Sequence, residues 1–330
     1  MNKTKGNQLS DRWVITGCAG FIGSHLTEFL LKEGAEVIGI DDLSGGLRSN
    51  LNLIKSATSS SQFARFNFVE GDVRSAELAS SVLRRGDIVV HLAGLVSVPG
   101  SFDDPLRFHD VNTNGTLNFM NASIRSECKR FVFASTSAVY GAGQNRPVQE
   151  LDKVEPLSPY ALTKSIGEQY AYLFSKSTSL DFVSLRFFNV YGSRQSPEGA
   201  YASVIPKWIS AILSGHEVVV NGDGEQSRDF VHVFDVVNAI FQSAVKDGGS
   251  GFEVFNVASG ESVTLSHILK LLQRLLPDHD VKTKAAAGRM GEIKMSLADI
   301  SKIVEETGFS PAMTLEQGIL ETVEGFSSPR

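Results

Sequence analysis

Residues 13–25, WVITGCAGFIGSH, pass from a β-branched run to an amphipathic one across three glycines spaced G-x-x-G-x-x-G. No other feature of the chain narrows its fold as much. Gly17 permits a tight turn out of a strand, and Gly20 leaves no Cβ between backbone N–H groups and an approaching pyrophosphate. Gly23 lets the following helix lie close to the sheet, with its N-terminus toward the negative charge. The turn predicts an α/β fold of Rossmann type, a doubly wound parallel sheet.

The downstream rhythm agrees. β-branched runs at 13–16, 36–40, 66–70, 87–91, 131–134 and 182–187 alternate with helical periodicity at 22–32, 76–83, 106–125 and 161–174. A Ser/Thr/Asn-rich stretch over 44–61 reads as an irregular, partly packed excursion. After residue 189, loops rich in glycine, proline and charge separate shorter elements, including helices at 203–213 and 265–275. The expected organisation is a dinucleotide-binding domain over 1–188, with an apolar segment near 230–247 returning to it. A smaller α/β substrate lobe occupies 189–330.

A net charge of −6 without a basic run argues against a nucleic-acid partner. No apolar run approaches the roughly 18 residues of a membrane span. The opening MNKTKGNQLSDR lacks the apolar core of an export signal, which predicts a cytoplasmic protein. Cys18 and Cys128 have neither disulfide-framework nor metal-ligand spacing, so no metal is expected.

Asp41 closes the second strand at the distance where a carboxylate accepts hydrogen bonds from an adenosine ribose, and Asp42 is a second candidate. A carboxylate there repels a 2′-phosphate, which favours NAD over NADP, although Arg48 lies nearby. Gly71-Asp72-Val73 closes the third strand and Leu92-Ala93-Gly94 follows the fourth. Both should line the crevice at the carboxyl ends of the strands. Tyr160 and Lys164 lie one helical turn apart, downstream of Ser135-Thr136-Ser137. A free phenol ionises near pH 10, and an adjacent ammonium favours the phenolate. A hydroxyl at Thr136 or Ser135 can bridge substrate and phenol. Tyr160 is therefore the candidate catalytic base.

Taken in order, Gly17-x-x-Gly20-x-x-Gly23, Asp41, Gly71-Asp72-Val73, His91-Leu92-Ala93-Gly94, Ser135-Thr136-Ser137, Tyr160-x-x-x-Lys164 and Arg186-Phe-Phe-Asn189-Val-Tyr-Gly192 resemble the extended short-chain dehydrogenases/reductases. The match covers nearly the whole chain and is similar to the nucleotide-sugar epimerase/dehydratase branch. Gly94 departs from it, since the branch more often has alanine there. The resemblance implies further NAD contacts from Phe21, Ile22, Ser44, Gly45, Asn112, Phe187 and Phe188. Dehydratases and decarboxylases of the branch carry acids just after the threonine. Here Ser137 and Ala138 occupy those positions, which favours plain 4-epimerisation of a UDP-sugar. It further implies diphosphate contacts from Asn189, Arg228 and Arg289, and a uridine border from Tyr201 to Lys207. Ser97, Val98 and Ser101 match the substrate loop of UDP-N-acetylglucosamine 4-epimerases. Ser296 matches a pocket wall that is small where N-acetylated sugars are accepted. UDP-GlcNAc/UDP-GalNAc interconversion is thus expected. The rivals are UDP-glucose or uronic-acid epimerisation, decarboxylation or dehydration, and a non-catalytic NAD-binding module. The usual family dimer would pair helices 106–125 and 161–174, whose apolar faces could equally be buried within one subunit.

Overall fold

In the computed structural model, which describes residues 11–142, 146–198, 203–248, 251–287 and 294–327, the β-branched runs of the first half form strands. Strands β1 (Arg12–Thr16), β2 (Glu36–Asp41) and β3 (Phe66–Glu70) alternate with helices α1 (Phe21–Lys32), α2 (Arg48–Ala57), α3 (Ser60–Phe63) and α4 (Ala76–Val82). Strand β4 (Ile88–His91) leads to α5 (Val98–Asp103), α6 (Pro105–His109) and α7 (Gly115–Arg125). Strand β5 (Arg130–Thr136) leads to α8 (Pro159–Ser175), and β6 (Asp181–Phe187) follows. Beyond these lie β7 (Asn189–Tyr191), α9 (Val204–Leu213), β8 (Val218–Asn221), β9 (Ser227–His232), α10 (Val233–Val245) and β10 (Phe252–Val257). The chain ends with β11 (Ser262–Thr264), α11 (Leu265–Leu275), β12 (Thr283–Ala286), α12 (Ser301–Thr307) and α13 (Leu315–Ser327).

Seven strands form the main sheet in the order β10-β6-β5-β4-β1-β2-β3. The registers β1–β2, β1–β4, β2–β3 and β4–β5 are parallel. Strand order reverses between β1 and β4, so the glycine turn after β1 and the 92–94 loop after β4 flank the crevice where such sheets bind ligands. Two smaller sheets, β11-β9-β7 and β12-β8, lie later in the chain.

The described residues up to Ser135, with Ser158–Leu185 and Ile240–Val254, make one compact unit. Thr136–Leu157, Arg186–Ala239 and the described residues from Phe255 onward make a second. Residues 240–254 join the first unit partly through Arg130, buried on β5. Its Nη1 donates to the carbonyls of Ser243, Ala244 and Lys246 and so caps the end of α10. Residues 136–157 join the second because Val148 exchanges backbone hydrogen bonds with Leu297 and Asp299.

Each unit has its own core. In the first, Phe119, Phe131, Phe133 and Phe182 pack with Val14, Ile40 and Val89. In the second, Trp208, Ile209, Ile268, Leu272 and Ile319 do so. Each fully buried side chain of this size contributes about 1.5–3 kcal/mol of transfer free energy.

Two local readings need correction. The 44–61 excursion is largely helical: α2 buries Asn50 and Ile54, and Ser59 with Gln62 forms a reciprocal capping box for α3. The single helix read over 106–125 is interrupted, with one π-helical turn at Asp110–Asn114 between α6 and α7.

Candidate active site

The glycine turn is as tight as its spacing requires. Gly17 has φ of +75°, and a Cβ there would lie 2.9 Å from the Ala93 nitrogen. A Cβ on Gly23 would sit 2.0 Å from the Gly17 carbonyl oxygen, so only glycine lets α1 start this close to β1. No side chain caps α1, which leaves its first-turn N–H groups to an anion. Phe21 and Ile22 are half-buried in that turn.

Asp41 is buried, with Oδ2 accepting from Ala19 N and Oδ1 from Leu43 N, both at 2.9 Å. Burial pushes its carboxyl above the usual range even against those two bonds. Further donors, such as ribose hydroxyls, would relieve that cost. Gly46 keeps the approach open, since a Cβ there would lie 2.6 Å from Asp41 Oδ1. Asp42 instead points outward and accepts from Ser44 N and Ser44 Oγ, with Gly45 exposed beside them. Arg48 pairs with Glu70. Asp72 is engaged by Arg74, which holds its carboxyl below the ordinary value, and Val73 is buried beneath α7. Asn50 was not legible as a site residue. Its amide donates to the Ala19 carbonyl at 2.8 Å and ties α2 to the glycine turn.

Behind the 92–94 loop lies a fixed chain of hydrogen bonds. Ala93 N donates to Thr16 Oγ1, whose hydroxyl faces His91 Nδ1 at 2.9 Å. His91 Nε2 lies 3.1 Å from Thr116 Oγ1, which donates to the Asn112 carbonyl. Each hydroxyl has one hydrogen, so the chain selects the Nε2–H tautomer of a neutral imidazole. Burial, and then Lys164, bring the His91 pKa down to about 3. The π-helical turn aims Asn112 at Leu95. Its Oδ1 accepts from Leu95 N at 2.8 Å, and its Nδ2 donates to Leu95 O and to Thr163 Oγ1.

Helix α8 begins with Ser158 as N-cap, accepting from Ala161 N, and Pro159 in the first position. Tyr160 therefore occupies the first turn, where the helix dipole favours an anion. It is 8% exposed. Lys164 is 3% exposed, donates to Ala134 O at 2.9 Å and lies 5.0 Å above the Phe133 ring. Burial brings its pKa down to about 8. Gly94 lies beneath it: a Cβ there would be 3.0 Å from Asn112 Oδ1 and 3.4 Å from Lys164 Nζ. Ser135, read as a possible bridge to substrate, gives its hydrogen to Glu168 Oε1 at 2.5 Å.

In the second unit, Thr136 Oγ1 accepts from Ala138 N and caps the short turn Ser137–Tyr140. Phe187 and Phe188 are buried, and Phe188 packs with Val139, Tyr140, Val148 and Ala298. Asn189, Arg228 and Ser296 come together on adjoining segments. Asn189 Nδ2 donates to Asp229 O, while Ser296 N donates to Ser227 O beside Arg228. The wholly buried Asp229 holds this region. Its Oδ1 takes hydrogens from Ser259 N and Ser259 Oγ, and its Oδ2 from Gly260 N and Ala298 N. Lys207 is exposed on α9, whereas Tyr201 and Arg289 lie outside the described residues. In the first unit, Ser97 caps α5 and Val98 is exposed. Ser101 is fully buried, its hydroxyl on the Val98 carbonyl.

Among the described residues, no group of three or more His, Cys, Asp or Glu side chains is arranged to hold a metal ion. None of their helices is long and apolar enough to cross a membrane.

A Rossmann sheet, a glycine turn with a buried carboxylate one strand over, and a tyrosine and lysine on one helix face define an NAD-dependent enzyme of the short-chain dehydrogenase/reductase type. Residues 13–258 match the NAD dependent epimerase/dehydratase family, and the chain belongs to it; NAD is its cofactor. The chain is 39% identical to the UDP-N-acetylglucosamine 4-epimerase of Methanobrevibacter ruminantium M1, solved with UDP-N-acetylmuramic acid. That match covers 96% of this chain and 98% of the other, with a TM-score of 0.89. It is 34% identical to the UDP-glucose 4-epimerase of Mycolicibacterium smegmatis, over 96% of this chain and 98% of that one. A variant of the UDP-glucuronic acid 4-epimerase of Bacillus cereus, solved with UDP-4-deoxy-4-fluoro-glucuronic acid and NAD, is 29% identical. It covers 95% of this chain and 98% of its own, with a TM-score of 0.86.

Proposed function

We propose that this chain is a UDP-sugar 4-epimerase acting on UDP-GlcNAc and UDP-GalNAc. The observation that carries the epimerase reading is the buried Lys164 ammonium one turn from Tyr160, with no acidic side chain at Ser137 or Ala138. Tyr160 takes the proton of the sugar 4-hydroxyl and later returns it. Lys164, held by Ala134 O, keeps positive charge beside that phenol, and Thr136 orients the hydroxyl. NAD held there would supply a reversible hydride acceptor for the sugar C4, and return of the hydride to the opposite face would invert the centre with no net redox change. Asp41, Gly17 and Gly20 hold the dinucleotide. Arg228, with its planar fork, and Asn189 bind the diphosphate.

The N-acetylated substrate rests on Ser296, a small half-buried residue on a strap pinned by Ser227, Asp229 and Val148, and on the sugar named for the Methanobrevibacter relative. The ligand of the Bacillus cereus relative favours a second reading, 4-epimerisation of UDP-glucuronate. Assaying the protein on UDP-GlcNAc, UDP-glucose and UDP-glucuronate, with product analysis by NMR, decides between them. Tyr160→Phe should stop turnover while retaining NAD. Ser296→Tyr should lose UDP-GlcNAc but keep UDP-glucose; equal loss of both would overturn the steric account.

We place the enzyme in the cytoplasm as a homodimer. Leu106, Leu162, Tyr172 and Leu173 on α6 and α8 are each about half exposed or more, an apolar surface suited to a second copy.

A further inference from the structure

Three consecutive residues at the end of β5 each meet the same face of α8. Phe133 lies under Gly167, where a Cβ would be only 2.6 Å from the ring Cζ, and under the Lys164 ammonium. Ala134 O accepts from Lys164 Nζ. Ser135 Oγ donates to Glu168 Oε1 at 2.5 Å, a length expected for a hydroxyl on a carboxylate, with Ser135 3% and Glu168 6% exposed. Tyr160, Lys164 and Glu168 are spaced by four, one above another along the helix. A slide or rotation of α8 relative to β5 would break all of these contacts together.

We infer that the Ser135–Glu168 hydrogen bond, with Gly167 seated on Phe133, is a latch fixing Tyr160 and Lys164 against the end of β5, which makes Glu168 a positioning residue. The inference rests on the epimerase reading above. It also moves Ser135 from the substrate to the latch, because its one hydrogen is committed to Glu168. The bond joins a hydroxyl to a carboxylate away from water, so it resists displacement. Stiffness matters here because a misplacement of about 1 Å between reacting groups costs on the order of 100-fold in rate.

The test uses the NAD-loaded enzyme, with rates normalised to bound NAD. Glu168→Leu should lower kcat about 30-fold, with KM for the UDP-sugar and NAD per chain within about a factor of two of the parent. Glu168→Gln keeps an oxygen to accept the Ser135 hydrogen and should recover most of that kcat. Ser135→Ala should lower kcat as well. The double variant Ser135→Ala/Glu168→Leu, which removes both groups of this bond, should fold and be little slower than the slower single variant. A double variant with parental kcat, or single effects that multiply in full, would overturn the latch. So would a kcat loss in Glu168→Leu that Glu168→Gln shares in full. A parent protein inactive on every UDP-hexose would refute the epimerase reading and the latch with it; an active parent with a fully active Glu168→Leu refutes the latch alone.

Discussion

Replacing Lys164 with methionine should make the NAD-stripped protein more stable while stopping its chemistry. The ammonium is 3% exposed, and burial brings its pKa from 10.5 to about 8. That gap, at 1.36 kcal/mol per unit, amounts to about 3 kcal/mol of penalty on the charged form at neutral pH. Loss of the bond to Ala134 O takes back about 1–2 kcal/mol, so the variant should gain about 1–2 kcal/mol in urea unfolding. The pH dependence is the sharper check. The folded-state pKa is depressed, so between about 8 and 10.5 the unfolded chain binds more protons than the folded one, and the parent gains stability as pH rises. Below that window the advantage of Lys164→Met should be constant, and it should shrink across the window as the lysine neutralises. Turnover should fall by about 100-fold or more at every pH. A stability difference that stays flat from neutral pH to pH 10.5 would refute the claim that the buried charge is held at a cost in stability.

Two further outcomes follow from the geometry. Asp229→Asn keeps one accepting oxygen but turns an NH2 toward Gly260 N and Ala298 N, and should lose about 2–4 kcal/mol in urea unfolding. The same variant should weaken UDP-sugar binding more than NAD retention, read as KM against NAD per chain. Gly23→Ala would bring a methyl to 2.0 Å from the Gly17 carbonyl oxygen, so any protein that folds should purify without NAD, measured by its absorbance and by nucleotide release.

The NAD-binding half was legible because its physics is local. A parallel strand buried on both faces needs an apolar, β-branched run, and a pyrophosphate turn needs glycines at fixed spacing. The Tyr160–Lys164 pair was visible because helical periodicity places residues four apart together. What escaped the sequence depends on distant partners. Helix α2 carries little apolar surface because only Asn50 and Ile54 are buried, so its polar composition resembled a loop. The π-helical turn that aims Asn112 has no compositional mark. Glu168 and Asp229 are carboxylates with nothing unusual beside them in sequence. Their meaning comes from Ser135, thirty-three residues away, and from backbone N–H groups at 259, 260 and 298. Ser101 carried the opposite risk: it looked like a substrate contact and is fully buried on its own helix.

Strand β10 holds one edge of the main sheet beside β6, and Arg130 on β5 is sealed by carbonyls at 243, 244 and 246. During synthesis, then, a nascent chain carrying every glycine of the dinucleotide turn, and both Tyr160 and Lys164, still has an open sheet and an uncapped guanidinium. The first compact unit is complete only when residues 240–254 have left the ribosome, so this enzyme cannot finish that unit before a large part of the second has been made.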